Sequence, residues 1–177
     1  MTQHQKDAAL AVALMDLTSL NTSDTTKSIQ ALVDSINPTL GTPAAVCVYS
    51  DFVDDAKIAL AARELNHVKV ATVTNFPTGD APLSDVINET LIAIERGADE
   101  IDLVIPYKKL IAGDAQTVVN YVSESKKACG SRARIGLRGR ERGEEACVVS
   151  IQPRSRDARA RGASQVGHQG HAGQHTD

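Results

Sequence analysis

The strongest constraint on how this chain folds is an alternation. Short apolar, β-branched runs are each followed by a stretch of helical periodicity. Residues 44–49 (AAVCVY), 67–76 (HVKVATVTNF) and 100–106 (EIDLVIP) read as strands, and residues 13–18 (ALMDLT) as a shorter one that carries an acid. The run at 44–49 is almost wholly apolar, as expected of a strand buried on both faces. Helices are expected over 3–12, 22–36, 51–65, 83–96 and 114–128. In the fourth of these, Leu83, Val86, Ile87, Thr90, Leu91 and Ile94 form one stripe, and Gly97 ends it. Ser23 or Thr22 is the expected cap of the second, and residues 108–113 are expected to form a loop.

Strands that alternate with helices imply a parallel sheet. Neither a GxGxxG nor a GxxxxGK[ST] motif occurs, which counts against the nucleotide-binding folds. Four βα units at a repeat of about 30 residues remain. A (β/α)8 barrel needs eight such units and roughly 250 residues. The expected fold is therefore α/β, a partial barrel of about four units over residues 1–128, followed by an irregular tail over 129–177. With two Phe, three Tyr and no Trp, its core must be aliphatic.

The tail differs in composition. Residues 1–127 carry 10 Lys or Arg and 17 Asp or Glu, whereas residues 128–177 carry 9 Arg, no Lys and 5 acids. Only residues 147–151 (CVVSI) read as a strand there. Low apolar content with blocks of charge predicts disorder. A switch to Arg, Gly, Ala and His is also what a GC-rich coding sequence yields out of frame. We read the tail as a translated frameshift or a gene-model error, with a natural disordered tail as the alternative. Nine arginines could contact phosphates, but no aromatic is interleaved and the acids dilute the charge, so no nucleic-acid partner is expected.

Three cysteines (Cys47, Cys129, Cys147) form no CxxC pair and no metal-ligand spacing, so free thiols and no metal are expected. The N-terminal apolar run is short and interrupted by Asp7 and Asp16; no signal peptide and no membrane span are expected, and the chain reads as cytoplasmic.

In parallel barrels chemistry sits at the C-terminal ends of the strands. Asp16 and Thr18, Cys47, Thr74 and Asn75, and Asp102 fall there. Asp16 and Thr18 alternate along one strand and so share a face. Asp102 stands between Ile101 and Leu103, where a carboxylate is costly unless paired or functional. Burial would suit it to proton transfer; a purely structural pairing is the competing explanation.

Residues 14–18 (LMDLT), 44–49 (AAVCVY), 70–79 (VATVTNFPTG) and 97–107 (GADEIDLVIPY) occur in an order and at a spacing that resemble the consecutive strand motifs of deoxyribose-phosphate aldolase. The resemblance spans about 120 residues, roughly half of a (β/α)8 barrel. It implies a metal-free and cofactor-free class I aldolase. Such an enzyme reversibly cleaves 2-deoxy-D-ribose 5-phosphate to D-glyceraldehyde 3-phosphate and acetaldehyde, in deoxynucleoside and carbohydrate breakdown. A lysine on the sixth strand forms the Schiff base, and a second lysine on the seventh lowers its pKa. Asp102 matches the family's proton donor/acceptor on the fourth strand. Asp16, Thr18, Cys47 and Asn75 are the expected lining of the same pocket.

The departure from the family is as definite as the match. No Lys follows Lys127, so neither family lysine has a counterpart. Lys69 belongs to the opposite end of its strand, and Lys108 and Lys109 are expected to be solvated. The chain as written is thus expected to be inactive. The partner it implies is a small phosphorylated sugar, with a homodimer as the expected assembly. The competing reading is a non-enzymatic half-barrel that associates with itself or another chain through its open edges.

Overall fold

A computed structural model describes residues 2–139 and 147–149. In chain order its elements are α1 (Gln3–Leu14), β1 (Asp16–Thr18), α2 (Thr26–Asp34), β2 (Ala45–Val48), α3 (Val53–Ala62), β3 (Lys69–Thr74), α4 (Leu83–Glu95), β4 (Glu100–Val104), α5 (Tyr107–Ile111), α6 (Ala115–Cys129), β5 (Arg134–Gly139) and β6 (Cys147–Val149). A 3-10 turn at Ser50–Phe52 leads into α3.

The strands form one sheet in the order β1-β2-β3-β4-β5-β6. The first five are parallel, and β6 returns antiparallel to β5. Sequential parallel pairing with a helix between most neighbours is the pattern of a (β/α) barrel; five strands make a partial one.

Register divides the sheet into two faces. Toward the helices point Val46 and Val48, Val70, Ile101 and Leu103, and Ile135. They pack with Ile29 and Val33 of α2, Ala56, Ala59 and Leu60 of α3, Val86, Ala93 and Ile94 of α4, and Cys129 of α6. This aliphatic layer holds the fold together, at roughly 1.5–3 kcal/mol for each fully buried large side chain. The opposite, inner face is smaller in residue size: Ala45, Cys47, Ala71 and Val73, with Leu20, Tyr49 and Phe76 around them.

Several expectations are corrected. Residues 13 and 14 extend α1, so β1 keeps only Asp16–Thr18. The cap of α2 is Thr25, whose hydroxyl accepts from the Ser28 N–H while the Ser28 hydroxyl accepts from the Thr25 N–H. The expected caps Ser23 and Thr22 do not serve; Asp24 accepts from the Ser19 hydroxyl and the Asn21 N–H at one oxygen and from the Ser28 hydroxyl at the other. The loop after β4 contains the short helix α5. The largest difference is β5: residues 134–139 (RIGLRG), read as part of an irregular tail, pair in register with all five residues of β4. The strand expected around residues 147–151 occurs as β6. The remainder of the tail, on which the frameshift reading also rests, lies outside the described residues.

Candidate active site

Alternation along each strand brings Asp16 and Thr18 (β1), Cys47 (β2), Asp102 (β4) and Arg138 (β5) to the inner face. Four of these were sequence candidates. Arg138 was not.

Asp102 is buried at the centre of the group. Its Oδ2 accepts from Arg138 Nη2 at 2.6 Å and from Arg138 Nε at 3.1 Å, and Arg138 is buried as well. Among the described residues the cation paired with Asp102 is therefore an arginine. Arg138 Nη2 also lies 3.8 Å from Cys47 Sγ. A buried carboxylate that found no partner would be expensive; the guanidinium offsets that cost with charge-assisted hydrogen bonds.

Asp16 is half-buried, and its carboxyl pKa is raised, first by burial and then by the Asp102 charge, with Arg138 opposing. Burial pushes the Cys47 thiol up to about 12. At neutral pH Cys47 is a neutral thiol, a poor nucleophile. Glu100, at the entry of β4, is raised by burial and by Asp16, Asp102 and Asp99, against the pull of Arg134. The inner face thus groups an ion pair, a carboxyl biased toward its protonated form and a neutral thiol. That set can hold and pass protons.

The structure does not bring Asn75 into this group. Asn75 follows β3 in the left-handed region (φ 57°). Its Nδ2 donates to the Val104 carbonyl at 2.8 Å, and its Oδ1 accepts from the Ala81 N–H at 2.9 Å. Its own N–H donates to Glu89, whose carboxyl burial raises. Thr74 shares the Val70 face and is buried toward the helices.

The lysines considered from sequence lie elsewhere. Lys69 is exposed and sits 4.0 Å from Asp99. Lys108 pairs with Asp80 on the surface. Arg138 was missed because its strand was missed; the signal available was the alternation of Ile135 and Leu137 with Arg134, Gly136 and Arg138. Among the described residues, no group of three or more His, Cys, Asp or Glu is placed to hold a metal, and no helix is long and apolar enough to cross a membrane.

Comparison with known proteins agrees with the partial (β/α) barrel. The family model described as DeoC/LacD family aldolase matches residues 10–135. The chain belongs to the DeoC/LacD family of aldolases. Among solved structures, a chain from Toxoplasma gondii ME49 assigned as a deoxyribose-phosphate aldolase is similar at 24% identity and a TM-score of 0.66, covering 76% of this chain and 50% of that one. One from Coccidioides immitis with the same assignment is similar at 25% identity and a TM-score of 0.64, covering 73% and 49%. The tetrameric deoxyribose phosphate aldolase of Aeropyrum pernix is similar at 24% identity and a TM-score of 0.57, covering 76% and 56%. The chain spans about half the length of these structures.

Proposed function

We propose that this chain is an aldolase of the deoxyribose-phosphate type by descent. The reaction is reversible cleavage of 2-deoxy-D-ribose 5-phosphate to D-glyceraldehyde 3-phosphate and acetaldehyde in the cytoplasm. The observation that carries this reading is the position of Asp102. It matches the family's proton donor/acceptor, and it lies buried on the inner face within reach of Asp16 and Cys47. In such a reaction a lysine amine attacks the sugar carbonyl and loses water to give an imine. The imine then takes up the electron pair released when the carbon–carbon bond breaks. Asp102 would move the proton that this exchange requires.

The same reading holds that the chain as written does not turn over. Imine formation needs a lysine of depressed pKa at the inner face. The cation beside Asp102 is a guanidinium, which forms no such imine, and Lys69 and Lys108 are on the surface. Borohydride reduction in the presence of deoxyribose 5-phosphate tests this. The expected result is an unchanged mass; a lysine adduct mapped to this chain would overturn it.

A second observation supports the homodimer reading. The described sheet ends at β1, which pairs with β2 alone. In α1 and its C-cap, which lead into β1, Leu10, Leu14 and Met15 are exposed. Open strand edges and apolar surface favour association, and the Aeropyrum pernix relative is a tetramer. Sedimentation velocity across a hundredfold concentration range should show a dimer; a single monomer peak throughout would argue against it.

A further inference from the structure

We propose that Arg138 and Gly136 of β5 are positioning residues for Asp102: Gly136 opens the space in which the carboxylate lies, and Arg138 clamps one of its oxygens there. The inference builds on the assignment of Asp102 to the site, but its test does not depend on aldol chemistry.

The geometry begins with register. Gly136 is the β5 partner of Asp102, and Arg138 is two residues further on, opposite Val104. Residues two apart on a strand share a face. The Arg138 side chain therefore reaches back over the position that a Gly136 side chain would occupy. A Cβ built on Gly136 falls well inside contact distance of Asp102 Oδ1. Any side chain at 136 would drive the carboxylate off β5. Gly136 has no positive φ to explain its identity; among the described residues the glycines with positive φ are Gly41, Gly79, Gly97, Gly113 and Gly130. Its role is room.

The clamp is also asymmetric. Both Arg138 donors converge on Oδ2, at 2.6 and 3.1 Å, instead of forking across the two oxygens. Oδ2 is thereby committed. Oδ1 is the oxygen over Gly136 and the one left to exchange a proton with water or a bound carbonyl compound. The clamp fixes the rotamer of Asp102 as well as its charge environment, so a mobile acid becomes an oriented one. Asp16 senses the same pair: Asp102 raises its pKa and Arg138 lowers it. Glu100 and Cys47, the other titratable groups that sense this cluster, respond to Asp102 too.

The test uses the full chain and NMR. In the unaltered protein the Arg138 Nε–H should exchange with solvent about tenfold or more slowly than in an unpaired arginine, as a charge-assisted hydrogen bond requires. Gly136→Ala should abolish that protection while the helix-facing methyl resonances stay native. Arg138→Gln should move the Asp16 carboxyl titration to higher pH, and Arg138→Lys should restore part of it. A purely structural role for Arg138 would lower the melting temperature without moving the Asp16 midpoint. The proposal is overturned if the Nε–H exchanges freely in the unaltered chain, if Gly136→Ala leaves it protected, or if Arg138→Gln leaves the Asp16 titration in place. The first of these needs no variant, so a variant that fails to fold does not protect the proposal. A lysine adduct trapped by borohydride would overturn the proposed lack of turnover and leave the Arg138 clamp standing.

Discussion

Asn75 and Val104 join the C-terminal ends of two adjacent strands: the Asn75 side-chain amide, just past β3, donates to the carbonyl of the last residue of β4 at 2.8 Å. The same side chain accepts from the Ala81 N–H and so fixes the loop that leads to α4. Asn is suited to both tasks. It tolerates the left-handed backbone found here (φ 57°), and its short amide carries both a donor and an acceptor. Asn75→Ala should cost about 2–4 kcal/mol, because the buried Val104 carbonyl and the half-buried Ala81 N–H lose their hydrogen bonds and the backbone conformation becomes strained. Asn75→Gly relieves the strain but not the lost bonds, and should recover only part of the loss. Urea midpoints of the two variants check the order.

Gly79 closes that same loop. Its φ is 69°, and a Cβ there would meet the Ile105 carbonyl oxygen at 2.5 Å. The obstacle is backbone, which has little freedom to yield. Gly79→Ala should destabilise by about 1–3 kcal/mol. A melting temperature within a degree of the parent would show that the approach of the β3 loop to the end of β4 is looser than described.

Most of this framework was legible because its physics is local. The β2, β3 and β4 strands announce themselves by β-branched, apolar runs, and α4 by the stripe that ends with Thr90 and Ile94 buried. The α6 start was readable from Asp114, whose carboxylate accepts from the Thr117 N–H and hydroxyl. β5 carried only the short alternation of Ile135 and Leu137, outweighed by two Arg and two Gly in the six residues of RIGLRG. Its strand character comes from the β4 edge to which it pairs, and from Ile135, which completes the helix-facing core. That is tertiary context overriding propensity. Asp102 could be singled out as an isolated acid in an apolar strand. Its partner could not, because Arg138 is 36 residues away and in a stretch that reads as tail. Asn75 shows the limit of reasoning from strand ends. It sits at the correct end of the barrel, yet its amide is spent on two backbone groups.

At the other end of β3, Asp99 separates two kinds of interaction. It accepts from the Val70 N–H at 2.8 Å and from Lys57 Nζ at 2.6 Å. Val70 is fully buried, whereas the Lys57 side chain is 37% exposed. Losing the backbone bond leaves a buried donor unmet, at about 1–3 kcal/mol. The exposed ion pair is worth about 0–1 kcal/mol. Asp99→Ala should therefore destabilise clearly more than Lys57→Met, and Asp99→Asn, which keeps an acceptor, should lie near Lys57→Met. Equal losses for Asp99→Ala and Lys57→Met would place the energy in the ion pair instead.

The inner face predicts a pH dependence whose sign is opposite to that of an ordinary paired carboxylate. The Asp16 pKa is raised above its unfolded value of 3.8, first by burial and then by Asp102. Between the unfolded and the folded value the native state binds more protons than the unfolded chain. Stability then falls as pH rises through that window, and the penalty is complete above the folded value. Glu89 and Glu100 are raised as well and act in the same direction. Asp24 and Asp114, lowered in the native state, act oppositely: their contribution is present above the unfolded pKa and is lost as pH falls. Asp16→Asn should therefore raise the urea midpoint at pH 7 and leave it nearly unchanged at pH 3, where the parent already carries the proton. Urea titrations at the two pH values check this. A loss of stability at pH 7 would mean that the ionised form of Asp16 is held by interactions stronger than its burial.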